Sequence, residues 1–181
     1  MAIKSFKNYY EIKDDITVIY MKNRKCEIFS TIIDTKNLNK IIEFGRSWYV
    51  KHQRLGNYYA YCTIYRKNLN PLTYSLHQLL MNIVPGNREL KTDHINYDTL
   101  DNRKENLRIV TQKDNLKHRK NNNSNNKTGY RNVCLINNKW VIQLQIDDEN
   151  KRLGSFEYNE LDKAITFADE MRKIYYGKFS N

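Results

Sequence analysis

The chain has few cysteines, prolines and glycines, and no long apolar stretch. Its 3 cysteines stand at positions 26, 62 and 134, and no two of them form a Cys-x-x-Cys pair. An odd number of thiols so far apart excludes a disulfide framework and the paired thiolates of a structural zinc, and predicts a reducing compartment. No apolar run approaches the roughly 20 residues of a membrane span. The opening M-A-I-K-S-F-K lacks the apolar core of a signal peptide, so no membrane partner is expected. Hydrophobic residues are 40% of the chain, which predicts modest cores.

Basic and aromatic residues are abundant. Lys and Arg number 31 against 20 Asp and Glu, a net charge of +11, with 14 tyrosines. A pI near 9.5 points to a polyanionic partner. Nucleic acid and an anionic membrane face both satisfy that charge. No long basic amphipathic helix stands out, and nucleic acid is the better fit. The 181 residues allow one ordinary domain or two small ones.

The most informative stretch is Thr92–Leu107, T-D-H-I-N-Y-D-T-L-D-N-R-K-E-N-L. An Asp-His pair is followed by Asn102, eight positions after the His, and by Asn106, four further on. Cleaving a phosphodiester needs a hard cation held by oxygen ligands and a base to deprotonate water. Asp93 and Asn106 carry such oxygens, and His94 is a candidate base. An isolated Asp-His pair is more often a capped turn or a surface pair; the four-residue spacing is what makes the stretch specific.

The motif D-H-I-N-x-D-x-L-D-N-R-x-E-N-L resembles the HNH nuclease motif in the form carried by phage and intron-encoded homing endonucleases. That resemblance implies a ββα-metal unit with Asp93 and Asn106 as metal ligands, His94 as general base, and Asn102 holding the His94 ring in one tautomer. The third motif letter, often His, is here Asn106, an oxygen donor that suits magnesium or manganese. The resemblance further implies DNA hydrolysis to 5′-phosphate and 3′-hydroxyl ends. Nicking by a monomer is plausible, while a double-strand break needs a second site or second binding event. The heavy use of Asn, Lys, Ile and Tyr is what AT-rich coding produces. With the motif it suggests a phage or mobile-element gene acting in a bacterial cytoplasm.

Periodicity predicts the elements around the motif. Ile16–Met21 and Glu27–Ile33 flank a polar turn at Lys22–Lys25 and read as a hairpin, with a helix at Leu38–Phe44 ended by Gly45. Strands are expected at Ser47–Lys51 and Tyr58–Arg66. Their aromatic residues, Trp48, Tyr49, Tyr58, Tyr59, Tyr61 and Tyr65, suit base stacking, but alternation makes about half of them core. Tyr74–Ile83 reads as a helix capped by Ser75, with Leu76, Leu79, Leu80 and Ile83 on one face. On it, His77 is expected to pack or hydrogen-bond rather than catalyse. Arg108–Val110 reads as a strand and Thr111–Lys120 as a helix with a basic end. Lys117, Arg119 and Lys120 are expected along phosphates, although a charge run is usually a solvated face.

The run N-N-N-S-N-N at 121–126 has nothing apolar to bury and, with Lys127, reads as a linker, 121–127. Beyond it, strands are expected at Tyr130–Ile136, Lys139–Asp147 and Arg152–Tyr158, joined by N-N at 137–138 and D-D-E-N at 147–150. A helix at Leu161–Tyr176 should place Ala164, Phe167, Ala168, Met171 and Tyr175 on one face, with Gly177 past its end. The stretches T-G-Y-R-N-V, K-W-V-I-Q-L-Q-I, K-R-L-G-S-F and A-I-T-F-A-D-E resemble the AP2 DNA-binding domain, whose sheet lies in the major groove. That resemblance implies base-reading by Arg131, Trp140, Gln143, Gln145 and Arg152, with Lys151 close by. Glutamine suits adenine and arginine guanine, whereas the bland alternative is an ordinary solvent-facing strand.

The expectation is therefore an α+β protein. Residues 1–120 form an HNH nuclease domain, with 1–70 a β-rich platform extending the DNA interface and 71–120 the helix and ββα-metal core. Residues 128–181 form an AP2-like domain of three antiparallel strands and one helix. The expected function is sequence-specific, Mg2+-dependent cleavage of double-stranded DNA, with Mn2+ as a second metal. The alternatives are a non-catalytic AP2-type DNA-binding regulator and, in third place, RNA binding.

Overall fold

The computed structural model describes residues 6–53, 56–118, 126 and 128–180. Arg119, Lys120 and all of the asparagine run but Asn126 lie outside the described residues. The chain is a strand-rich α+β protein built of small antiparallel sheets. It divides into two compact units, residues 1–112 and 113–181. The division falls just inside helix α3 (Gln112–Lys117), ahead of the asparagine run. Among the described residues no helix is long and apolar enough to cross a membrane.

The first unit opens with a three-stranded sheet, β1 (Tyr10–Lys13), β2 (Ile16–Lys22) and β3 (Ile28–Asp34). The hairpin β2–β3 falls where alternation places it, from Ile16 opposite Asp34 to Lys22 opposite Ile28. Strand β1 was not expected. It is only four residues long and enters through the turn at Asp14, whose φ of 53° an Asp tolerates. Alternation in β2 turns Thr17, Ile19 and Met21 inward. Helix α1 (Leu38–Glu43) drops Ile41 onto the same core and ends ahead of Gly45, at φ 66°.

A second sheet, β4 (Tyr49–His52), β5 (Tyr58–Arg66) and β6 (Leu69–Ser75), adds Val50, Ala60 and Cys62 to that core. A buried Ile or Val contributes roughly 1.5–3 kcal/mol. Strand β6 runs through Tyr74 and Ser75, which sequence periodicity assigns to a helix. That helix, α2, is correspondingly short, Leu76–Leu80, because backbone pairing of Tyr61 with Ser75 overrides the helical spacing. Ser75 remains its N-cap, with Gln78 Oε1 accepting from the Ser75 N–H at 3.3 Å. A two-stranded hairpin, β7 (Leu90–His94) with β8 (Leu107–Thr111), closes the unit.

In the second unit, β9 (Val133–Ile136), β10 (Lys139–Ile146) and β11 (Glu149–Glu157) form a sheet in the order β11-β10-β9, with α4 (Leu161–Tyr176) against it. Both turns are two residues long, Asn137-Asn138 and Asp147-Asp148, and all four have φ between 49° and 64°. This double left-handed geometry matches strand twist, and Asn and Asp tolerate it better than other side chains. Strand β11 therefore starts at Glu149, earlier than expected. Ala164 and Ala168 let α4 approach closely, and a Cβ on Gly154 would stand 2.9 Å from the Phe167 ring. The buried row of α4 continues through Arg172 and Tyr176, whereas Tyr175, expected on that face, is 46% exposed.

Candidate functional site

His94 ends β7, opposite Leu107 at the start of β8, and the twelve-residue segment 95–106 between them folds back on itself. Asn106 ties the two ends together. Its Oδ1 accepts the Asn96 N–H at 2.9 Å, its Nδ2 donates to the Asp101 carbonyl at 2.8 Å, and its carbonyl accepts the Ile95 N–H at 2.8 Å. Asn96 and Asp98 turn the chain by accepting N–H groups two residues on. Asp101 takes both Nε and Nη2 of Arg103, and those bonds hold its carboxyl below the ordinary carboxylate range.

The loop is also docked on β3. Ile32 donates its N–H to the Leu100 carbonyl at 3.0 Å and accepts the Asn102 N–H at 2.8 Å. Beside that pairing runs a side-chain relay. The Thr31 hydroxyl donates to the Leu100 carbonyl at 2.6 Å, and its oxygen accepts Asn102 Nδ2–H at 2.8 Å. The remaining amide atom, Asn102 Oδ1, lies 3.2 Å from His94 Nε2. Because the amide nitrogen is already turned to Thr31, the oxygen can only accept, so Nε2 carries the hydrogen. A neutral His94 then presents a bare Nδ1. Burial lowers the His94 pKa, against the raising pull of Asn102 and of Asp93, Asp98 and Asp101, and favours that neutral form.

Two further rings brace the imidazole. His77 stands edge-on to it, centroids 5.0 Å apart and planes at 83°, and Tyr59 lies edge-on to both at 5.6 and 6.0 Å. His77 Nε2 is 3.0 Å from the Ser75 hydroxyl. Burial, then the neighbouring His94, pushes the His77 imidazole down to about 3, so it too is neutral at pH 7. Sequence reasoning places His77 in packing or hydrogen bonding, and here it does both, packing edge-on against the candidate base and hydrogen-bonding to Ser75. Thr31 carries no signal for this role, since it reads as an ordinary strand residue, and Tyr59 reads only as one of the strand aromatics divided between base stacking and core.

The two expected metal ligands differ in their surroundings. Asp93 sits opposite Arg108, and its Oδ2 accepts from Nε at 2.9 Å and pairs with Nη2 at 2.8 Å. Asn106 is 5% exposed, with its oxygen turned into the loop. The structure therefore brings Asn106 to the loop base as a clamp, while Asp93 is the better oxygen donor for an ion. Among the described residues no group of three or more His, Cys, Asp or Glu is gathered to hold a metal. Magnesium needs no such cage: it is commonly held by one or two carboxylates and completed by water and substrate phosphates. Asp93 fits that chemistry.

In the second unit the register sorts the expected DNA contacts onto different faces. Gln143 is opposite Arg152 and Gln145 opposite Asn150, so these four share the face away from α4, where Asn150 Nδ2 reaches Gln143 Oε1 at 3.4 Å. Trp140 requires correction. It is 9% exposed, packs in the core with Ile142, Leu144 and Ala168, and donates its indole N–H to the Tyr158 carbonyl at 2.8 Å. Strand parity puts it there, two and four residues before Ile142 and Leu144. Lys151, opposite Leu144, is off the glutamine face as well, and its ammonium stands 3.9 Å from Asp147. Arg131 donates to the Lys117 carbonyl and lies 6.0 Å from the Tyr176 ring centroid. Lys117 pairs with Asp114 at 3.2 Å and stands 5.8 Å from the same ring centroid.

No family model matches the chain, and no curated protein or solved structure matches it.

Proposed function

We propose that the protein is a divalent-metal-dependent DNA endonuclease of HNH type, in which His94 is the general base and the second unit is an AP2-like DNA reader. The observation that carries this reading is the relay from Leu100 through Thr31 and Asn102 to His94. It orients a neutral imidazole with its basic nitrogen uncommitted by the relay, which is what proton abstraction from water requires.

In this reading Nδ1 of His94 takes a proton from a water molecule as its oxygen attacks the phosphorus. Asn102 keeps the ring from rotating and stabilises the Nε2–H that the imidazolium retains. His77 and Tyr59 pack edge-on against the ring and help to hold it in place. Asp93 would hold the ion, with magnesium preferred and manganese a substitute. When bound, such an ion neutralises charge on the scissile phosphate and on the leaving 3′ oxygen. Asn106 shapes the loop that presents both residues. The face of Gln143, Gln145, Asn150 and Arg152 supplies amide and guanidinium groups suited to base edges in a major groove.

A second reading has one observation in its favour. The Asp93 carboxylate is engaged by Arg108, as a residue in a binding-only module would be. In that case the chain is a DNA-binding regulator. Relaxation of supercoiled plasmid with and without magnesium separates the two readings. Cutting by wild type that is lost in His94→Ala, with DNA binding retained, supports the nuclease. Binding without cutting at any magnesium concentration supports the regulator.

A further inference from the structure

The sheet β4–β5–β6 has two unlike faces. Trp48, Val50, Ala60, Cys62 and Leu76 belong to the core, and Tyr58 and Tyr74 pack against it. The alternate positions of β4 and β5, Tyr49, Lys51, Tyr59, Tyr61 and Thr63, therefore point the other way, together with Thr73 opposite Thr63. Their rings form a continuous row. Tyr49 lies 6.4 Å from Tyr61, Tyr61 lies 6.3 Å from Tyr59, and Tyr59 lies 6.0 Å from His94. The row carries polar groups along its length: the Tyr49 hydroxyl is 2.9 Å from Thr63 Oγ1, and Gln53 Nε2 donates to the Tyr61 hydroxyl at 2.9 Å. Lys51, opposite Tyr59, is exposed.

The charge of this region is one-sided. Between Glu43 and Glu89 the chain holds six Lys and Arg and no Asp or Glu. A sheet face with hydroxyls, an amide and an ammonium, in a stretch free of carboxylates, complements a row of phosphates. Tyr, Thr, Gln and Lys are all common donors to phosphate and sugar oxygens. The tyrosines are half-buried and lie ring against ring, which leaves no gap for an unstacked base. The face suits a backbone and not a splayed single strand.

We propose that this face is a docking ledge for the sugar-phosphate backbone of duplex DNA, running from Tyr49 along Tyr61 and Tyr59 to His94 and holding the strand beside the scissile phosphate. The proposal rests on the nuclease reading for its geometry, and binding tests it independently of cutting. Lys51 pairs with a phosphate, and the Tyr49 and Tyr61 hydroxyls donate to backbone oxygens. The contacts give affinity without base choice, complementing the glutamine face of the second unit.

The test is the salt dependence of binding of the full chain to a short random-sequence duplex in EDTA, where no cutting occurs. Lys51→Gln should lower the slope of log affinity against log salt by about 1, as loss of one phosphate contact does. Lys25→Gln, in the β2–β3 turn, should leave it unchanged. Tyr49→Phe and Tyr61→Phe, which keep the rings, should each weaken binding roughly fivefold, the value of one hydrogen bond. An unchanged slope in Lys51→Gln together with unchanged affinity in both Phe variants overturns the ledge, as does absence of duplex binding by wild type. If the slope falls as expected while plasmid cutting is absent, the nuclease reading fails and the ledge stands.

Discussion

Each unit is built from internal contacts of a different reach along the chain. The second unit is local: three consecutive strands joined by two-residue turns, then a helix laid across them. The candidate site of the first unit depends on residues far apart in sequence, since Thr31 meets Asn102 across 71 positions and Tyr59 meets His94 across 35. Local architecture follows from turn chemistry and alternation. A site assembled by docking one loop on a distant strand does not. The same contrast predicts that the two halves fail separately.

The largest expected effect is on the first unit alone. His94→Ala should lower the rate of DNA cutting about a hundredfold to ten-thousandfold, the usual contribution of a general base, and leave duplex affinity within a factor of about two. Single-turnover cleavage and a binding titration check both parts. The mirror experiment is Trp140→Ala, which empties the core of the second unit and should cost about 3–5 kcal/mol there. Sequence-selective binding should disappear while melting of the first unit, followed by hydrogen exchange on β2 and β3, stays as in wild type.

A third change probes the long-range dock. Thr31→Val removes the hydroxyl that orients Asn102 and leaves its amide hydrogen without an acceptor inside the protein. We expect a loss of about 1–3 kcal/mol in denaturant unfolding of the first unit, and a fall in cleavage rate that exceeds any change in DNA affinity. Equal effects on rate and affinity would mean that Thr31 merely supports the fold.

The pH dependence has a definite sign. His77 is about 3 when folded and near 6.5 when unfolded, so its neutral form is favoured by folding. The stability it allows is fully present above the unfolded pKa and is lost as pH falls below about 6.5 toward 3. From pH 7 to pH 5 the first unit should lose about 2 kcal/mol on this account, and His77→Phe should flatten that part of the profile. Smallest is the turn chemistry of the second unit. Asn138→Ala, at φ 62°, should destabilise it by about 1 kcal/mol in thermal unfolding and leave cleavage untouched.

How far the sequence could be read follows the same division. The strands of the second unit, its tight turns and the helix α4 were legible because alternation and Asn or Asp turns act within a few residues. Even there, Trp140 carries two conflicting signals: its parity with Ile142 and Leu144 marks it as core, while the AP2 resemblance points to the open face. Tyr175 and Tyr176 differ by one position, within the drift of a 3.6-residue period over four turns. Strands β1 and β6 are not legible in the sequence, because one is four residues long and the other carries Pro71 and runs into a helix cap. In the candidate site, the spacing from Asp93 to Asn106 marked the loop, and His94 and Asn102 do meet. The inward turn of Asn106 was not legible, because it depends on which backbone N–H groups the closed loop leaves without partners.

The proposed chemistry needs one side chain, His94, to be held in one protonation state. Nitrogen-15 NMR of the histidine-labelled full-length protein at neutral pH reads that state directly. The prediction is a neutral His94 with its hydrogen on Nε2 and a bare Nδ1, and a loss of that preference in Asn102→Ala. A hydrogen on Nδ1, or a doubly protonated ring at neutral pH, would contradict the relay and remove His94 as the base.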